Sequence, residues 1–451
     1  MENSNIEILR GSPKTSIWKI SIPIMITTMV TTVYNVIDGL WVIGLGYSAI
    51  AAIGLVTPLW MIINGVANGL ANGVASSIPR LREKYGDDEA NTVAGQSIII
   101  FIIVSIMISI ILLLALNPFL NMYNASAQVS IEAISYGTPL FLCSFLFIFS
   151  SGFGGIFRSE GDTKRAMYAT SFGMVLNAIL DPIFIYVFNW GSAGAAIATC
   201  VASLVTMLIF VYWMFFKKDT YISIDIKGLL KSKWDWFITK DILNTGIPAT
   251  ALLIFFSLSA VALYYLINLC SGELGLGIYS SGYRLYLLCL VPVIGISSAL
   301  IPIAGTHYGA GNIKYLKQAH SYAISYAFII AFVVCTLFAV FSDQLAYMLV
   351  ITTKDFQLIS GISLFIKICV FAIPFLAIGW PSSYLYQGLG KGTHSFIWSS
   401  LYEIFTIGMA YLFAFYLNYG LIGIWFGFVG GKAIIAILNL LFARYSINSI
   451  K

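Results

Sequence analysis

Twelve runs of about 20 predominantly apolar residues follow one another along this 451-residue chain, separated by short polar or Gly/Pro-bearing segments. An α-helix needs about 20 such residues to cross the hydrocarbon core of a bilayer. In lipid every backbone N–H and C=O must also be satisfied within the structure, so runs of this length become helices. The predicted spans are 17–44, 48–78, 93–116, 132–156, 166–188, 192–216, 241–269, 275–305, 315–341, 360–389, 394–417 and 420–443. The expected fold class is an all-α integral membrane protein, with twelve transmembrane helices in two six-helix lobes related by pseudo-two-fold symmetry.

The hydrophobic share of 59% and charged share of 10% leave too little polar surface for a soluble enzyme, which runs near 25% charged. A net charge of +5, without a basic patch interleaved with aromatics, excludes a nucleic-acid surface. The six cysteines lie in apolar segments with no C-x-x-C spacing, which gives no support for a metal site or a disulfide. Met1 to Lys14 is polar and of mixed charge, so the first span reads as retained rather than as a cleaved signal.

Lysine and arginine fix the expected orientation, because positive loops stay cytoplasmic. With the N-terminus inside, 20 of the 24 basic residues fall on inner segments and only Lys354 on an outer loop; Arg284, Lys367 and Lys432 fall within spans. Both termini are expected in the cytoplasm, with the protein multi-pass in the cell membrane. The polar stretch from Lys217 to Lys240 carries Trp234, Trp236 and Phe237 among its lysines. It reads as a cytoplasmic linker (217–240), partly lying at the interface, between an N-lobe (1–216) and a C-lobe (241–451).

The two halves repeat. Phe157 to Asp162 and Gly191 to Ala195 correspond to Tyr386 to Lys391 and Gly420 to Ile424, both at a shift of 229, and Ser21-Ile22-Pro23 corresponds to Gly246-Ile247-Pro248 at a shift of 225. Each half has an even number of spans, so the repeats run in the same direction. Parallel repeats of this kind mark transporters, with the substrate site expected at the repeat interface.

Two carboxylates stand inside these apolar runs. Asp38 and Asp181 each fall in the outer part of a span, where an acid faces a protein-lined or watery interior and is a functional candidate by default. Tyr34 and Asn177 each lie four residues before an aspartate, on the same helical face. Pro182 cannot donate to the carbonyl of Ala178, which leaves that oxygen free beside Asp181. Two carboxylates within a few ångströms cannot both ionise easily, so the pair can carry a proton and release it when its surroundings change.

The runs Tyr34-Asn35-Val36-Ile37-Asp38-Gly39, Arg158-Ser159-Glu160-Gly161-Asp162 and Leu176-Asn177-Ala178-Ile179-Leu180-Asp181-Pro182 resemble the multidrug and toxic compound extrusion (MATE) transporters, in particular their archaeal and bacterial DinF-like branch. The resemblance covers essentially the whole chain. It implies export of organic cations or lipid-like compounds in exchange for protons or sodium ions, with no resident cofactor or metal. The coupling site it implies is built from Asp38, Asn177, Asp181, Thr199 and Tyr136, beside Tyr34 and Asn35. Two family positions do not match: a further Asn falls on Gly154, and a Gln before Asp38 on the same helix falls on Thr31. Both losses remove amide ligands, which favours protonation over sodium coordination.

In the second half, Glu403 and Lys432 fall at similar depth in neighbouring spans, so an ion pair is feasible; it is read first as scaffolding and second as a coupling or gating site. Arg284 and Thr31 are candidates for the substrate cavity, and Lys367 is expected to snorkel at an outer end. The 32 Phe, 26 Tyr and 12 Met suit a cavity that re-packs around varied apolar cations, although most must serve packing. Pro139, Pro248, Pro292, Pro302 and Pro374 are bend candidates, and Pro23 with Gly39 forms the expected hinge of the first span. The reading is a monomeric exporter of small organic molecules in the lipid bilayer. A lipid flippase on the same scaffold is the alternative; an enzyme is disfavoured by the lack of H-E-x-x-H and G-x-S-x-G, and a channel by the lack of charged rings.

Overall fold

The computed structural model describes residues 4–123, 125–217, 220–224, 234–350 and 355–450. Its elements are helices throughout: α1 (Ser4–Arg10), α2 (Pro13–Ile43), α3 (Tyr47–Tyr85), α4 (Asp87–Met122), α5 (Ala127–Leu142), α6 (Ser144–Ser159), α7 (Thr163–Pro182), α8 (Gly191–Val211), α9 (Trp236–Gly309), α10 (Ile313–Val340), α11 (Ser342–Leu349), α12 (Phe356–Cys369), α13 (Ala372–Gly388), α14 (Gly392–Tyr411) and α15 (Gly420–Asn448). Short π-helical turns extend α7, α8 and α14.

Nine described helices are long and apolar enough to cross a membrane. The 74-residue α9 contains two of the spans, because its backbone turns at Gly272, where φ is 55°. Two more spans are the bent pairs α5–α6 and α12–α13, broken at 46° and 44°. The total is the expected twelve. Exposed stripes confirm a lipid-facing surface: on α4, Ile106, Ile110 and Leu114 recur at the helical period and are each more than half exposed.

Four details differ from expectation. The linker ends earlier, since α9 begins at Trp236, capped by the Asp235 carboxylate on the Phe237 N–H, so 236–240 is already helical. Its central part, 225–233, lies outside the described residues. Lys367 does not simply snorkel: its Nζ reaches Asp343 on the short α11 at 3.1 Å. That helix and α1 are too short to show as apolar runs. The bends of the fourth and tenth spans fall at Cys143 and Val370–Phe371, at corresponding places in the repeat, yet Pro139 precedes one and Pro374 follows the other. Proline alone therefore does not set them.

The repeat extends to backbone detail. Asn189 and Asn418 share a φ near 57°, as do Gly191 and Gly420 near 55°, and π-turns occupy Ile183–Val187 and Leu412–Tyr416. Each pair is again 229 residues apart.

The cores separate by half, with a reciprocal exchange. Two buried clusters belong to the first half and the largest to the second, but Leu9, Ile17 and Ile20 join the second-half cluster and Ile238 and Ile242 of α9 join a first-half one. The start of α2 thus packs on the second lobe, with Trp18 against Tyr326 and Met25 against Gly295. Its far end packs on α7 in the first lobe. Between the lobes, α3 and the first limb of α9 cross at Gly69 and Gly73. A Cβ at Gly69 would fall 2.1 Å from Thr250 Oγ1 and 2.5 Å from the Gly246 carbonyl. Arg80 holds Asp241 with two bonds of 2.9 and 2.7 Å, a bidentate pair that locks the lobes at the basic end.

Candidate functional site in the first lobe

Four spans bring the predicted acid pocket together. Asp181 is fully buried at the last turn of α7, and the Asp38 carboxyl of α2 faces it closely, without a well-aligned hydrogen bond between them. Both Asp181 oxygens and Asn177 Oδ1 lack a hydrogen-bond partner. Asn177 Nδ2 donates to Thr199 Oγ1 at 3.3 Å, and Thr199 in turn donates to the Ala195 carbonyl at 3.0 Å. Tyr34 of α2 and Tyr136 of α5 both lie within electrostatic range of the two carboxyls. No basic side chain touches either acid among the described residues. Unpaired buried acceptors are costly, so a pocket holding three free oxygens is built to receive something that supplies positive charge or a proton.

Beyond Asp181 the helix widens into the π-turn 183–187, a feature that recurs at functional sites. It carries Tyr186, whose hydroxyl donates to the Trp41 carbonyl at 2.5 Å and ties the far ends of α2 and α7 together.

Other predicted residues sit elsewhere. Asn35 is exposed and stays outside the pocket. Thr31 is half-buried, and its hydroxyl donates to the Thr27 carbonyl at 2.8 Å and to Met174 Sδ at 3.2 Å, between the first and fifth spans. Arg284 is exposed, near the ring of Tyr264 and apart from the acids. Gly39 is exposed with open space where a Cβ would stand, and Pro23 is buried where α2 passes between lobes. In the second lobe the predicted ion pair forms, with Lys432 Nζ 3.0 Å from Glu403 Oε1.

Two features do not show in the sequence pattern used above. Thr27, Thr28, Thr31 and Thr32 each donate to the carbonyl four residues back, at 2.8–3.0 Å. Such back-bonding favours bending of helices, and it begins one turn after Pro23. The space over Gly154 is taken by the Arg158 guanidinium, 3.4 Å from a would-be Cβ. Where a family amide was expected, this chain sets a positive charge.

Comparison with known proteins decides the family. The MatE family profile matches residues 23–183 and again 248–412, one copy in each half. This chain belongs to the MatE family. It is 24% identical over 435 residues to the probable multidrug resistance protein NorM of Thermotoga maritima, covering 94% of this chain and 90% of that protein. It is 23% identical to the multidrug export protein MepA of Staphylococcus aureus, over 93% of this chain and 91% of that one. Among solved structures, an outward-facing conformation of a multidrug resistance MATE family transporter of the MOP superfamily matches with a TM-score of 0.96 and 33% identity, covering all of this chain and 99% of that one. A MOP superfamily transporter from Pyrococcus furiosus, described by a binding pocket of reversed polarity that suggests a different function, matches at 0.94 and 33% over the same shares. The MATE chain described here is thus a twelve-span transporter of the multidrug efflux family and not an enzyme.

Proposed function

We propose that this MATE transporter exports amphipathic and cationic organic compounds across the cell membrane by alternating access, in exchange for protons taken up by the Asp38–Asp181 pair. The observation that carries the reading is that pair: two carboxyls facing each other toward the outer end of the first lobe, with both Asp181 oxygens free and no fixed counter-charge. Asp181 sits on α7 and Asp38 on α2, so a change of charge between them acts on a span whose two ends pack on different lobes. Below Asp38, Pro23 and the threonine ladder provide the place where α2 bends. Protonation relaxes the repulsion between the acids, the far half of α2 moves toward α7, and a bound organic cation loses its counter-charge and is released. The basic end, closed by Arg80 and Asp241, is then the cytoplasmic side on the strength of its lysines and arginines.

Sodium is the rival coupling ion. The oxygens of Asp38, Asp181, Asn177 and Thr199 are hard donors suited to it, but Gly154 offers none and Arg158 lies over it, which favours the proton. A second reading, a flippase for compounds with acyl tails, is favoured by one observation: a crevice of about 570 Å³ between α2, α7 and α8, lined by Ile26, Val30, Tyr168, Phe172 and Val175, opens on the lipid-facing surface.

Reconstituted protein separates these readings. With a fluorescent organic cation, an outward-to-inward proton gradient and no sodium, the wild type is expected to move dye and Asp38→Asn to fail. Transport only on adding sodium reassigns the ion. Movement of acyl-chain probes, with dye ignored under both ions, reassigns the substrate.

A further inference from the structure

The interior of the second lobe holds an ion pair set against an aromatic ring. Lys432 Nζ lies 3.0 Å from Glu403 Oε1 and 4.7 Å from the centroid of the Phe428 ring. A carboxylate and an aromatic face are the two groups that together recognise organic ammonium ions. The ring of Phe428 also starts a continuous aromatic series. It meets Tyr286 edge-on at 5.4 Å; Tyr286 stacks with Tyr283 at 5.4 Å, Tyr283 with Tyr279 at 5.2 Å, and Tyr279 meets Tyr264 at 5.1 Å. Phe428, Tyr286 and Tyr279 are buried at 2–3% and Tyr264 at the far end is 38% exposed, so the series joins the ion pair to the surface.

Two observations go beyond a structural pair. The Tyr286 hydroxyl is buried with no hydrogen-bond partner, and the Glu403 carboxylate bears electrostatically on the hydroxyls of Tyr279, Tyr283 and Tyr286 rather than on Lys432 alone. Glu403 also remains the more open member, at 16% exposed against 6% for Lys432. At the positions that the repeat relates to the first-lobe pocket, Thr199 becomes Phe428 and Tyr136 becomes Phe365. The second lobe therefore replaces hydroxyls that suit a proton or metal ion with rings that suit a large apolar cation.

We propose that Glu403, Phe428 and the adjoining tyrosines form a recognition site for aromatic or quaternary organic cations, in which Lys432 is a tethered occupant that the substrate cation displaces. A bulky onium ion is weakly hydrated and loses less than a lysine ammonium on leaving water, so the exchange is chemically reasonable. The inference deepens the export reading and rests on it for the class of substrate.

Its test does not depend on coupling. Tetraphenylphosphonium binding is measured at pH 8 on the purified full chain in the Asp38→Asn background, which removes the first-lobe acid pair from the readout. Lys432→Met is expected to bind at least about tenfold more tightly than its parent, and to regain with the ion the thermal stability it loses without it. Adding Glu403→Gln to Lys432→Met is expected to abolish both effects. Should methionine not be tolerated, Lys432→Gln is read by the same two measures. Equal affinity in parent and lysine variants, or a gain that survives Glu403→Gln, overturns the proposal. Normal transport by Asp38→Asn would instead overturn the coupling reading and leave this binding difference intact.

Discussion

The two lobes share a backbone but treat buried charge in opposite ways. In the first, Asp38 and Asp181 face each other with no cation against them; in the second, Glu403 is answered by Lys432 at 3.0 Å. At the repeat shifts, Asp181 becomes Ala410, Asn177 becomes Thr406 and Asp38 becomes Leu263, while Glu403 and Lys432 occupy the places of Met174 and Ser203. The matching π-turns and left-handed Asn residues show that the backbone next to Asp181 is kept at its counterpart, so the difference there lies in the side chains. A duplicated scaffold has kept one half chargeable and made the other electrically closed. On the mechanism proposed above, transport energetics belong to the first lobe and packing or recognition to the second.

The largest expected effect tests that division. Asp181→Asn should lower proton-driven export by at least about 100-fold, whereas Glu403→Gln should leave the proton dependence of export in place, both read in proteoliposomes. Loss of proton dependence in both variants would erase the distinction between lobes.

Stability should divide in the same way. Lys432→Met leaves a buried carboxylate uncompensated and is expected to cost about 3–5 kcal/mol, while Glu403→Gln with Lys432→Met removes both charges and should cost far less. Thermal unfolding of the two variants beside wild type gives the comparison, and a double variant as unstable as the single would show that the pair is not one unit.

A third contrast lies in the basic-end turns. Glu160 is buried and accepts the Ile222 N–H at 2.8 Å, while its repeat partner is Leu389. Burial pushes the Glu160 carboxyl up to about 7 from an ordinary 4.5. The folded chain therefore keeps a proton that the unfolded chain releases, and stability should fall as pH rises from about 4.5 to about 7. The loss is on the order of 3 kcal/mol. Glu160→Gln should flatten that slope, as measured by melting temperature against pH; an unchanged slope would place the titration elsewhere.

The smallest effect is expected at Pro182. Tyr411 stands at the corresponding place and the same π-turn follows it, so Pro182→Ala should keep the turn, cost less than about 1 kcal/mol and leave export nearly intact. A loss of export comparable with that of Asp181→Asn would make the Ala178 carbonyl, freed by the proline, part of the site.

Much of this was legible in the residues for physical reasons. Spans were visible because lipid demands about 20 apolar residues in a row, and their boundaries fell within about two turns of a helix end. The acids stood out because a charge in such a run is costly and is seldom kept without a role, and the i, i+4 rule brought Asn177 and Tyr34 with them. Harder to see were pairings across the fold. That Asn35 turns outward while Tyr34 turns in is a matter of α2 rotation, which its weakly patterned sequence does not specify. Thr31 looked like a cavity residue because of its place before Asp38, yet its hydroxyl is consumed by the helix backbone and Met174. The Arg158 guanidinium reaches Gly154 through its own side-chain conformation, which no spacing rule reports.

Proton release on substrate binding tests the division of labour most directly. Tetraphenylphosphonium is added to purified protein in weakly buffered solution with a pH indicator, without sodium. Wild type and Glu403→Gln are expected to release about one proton per bound cation, and Asp38→Asn and Asp181→Asn none. Release per bound cation that persists in both aspartate variants, or that is lost in Glu403→Gln at concentrations where the cation still binds, would contradict the assignment of coupling to the first lobe.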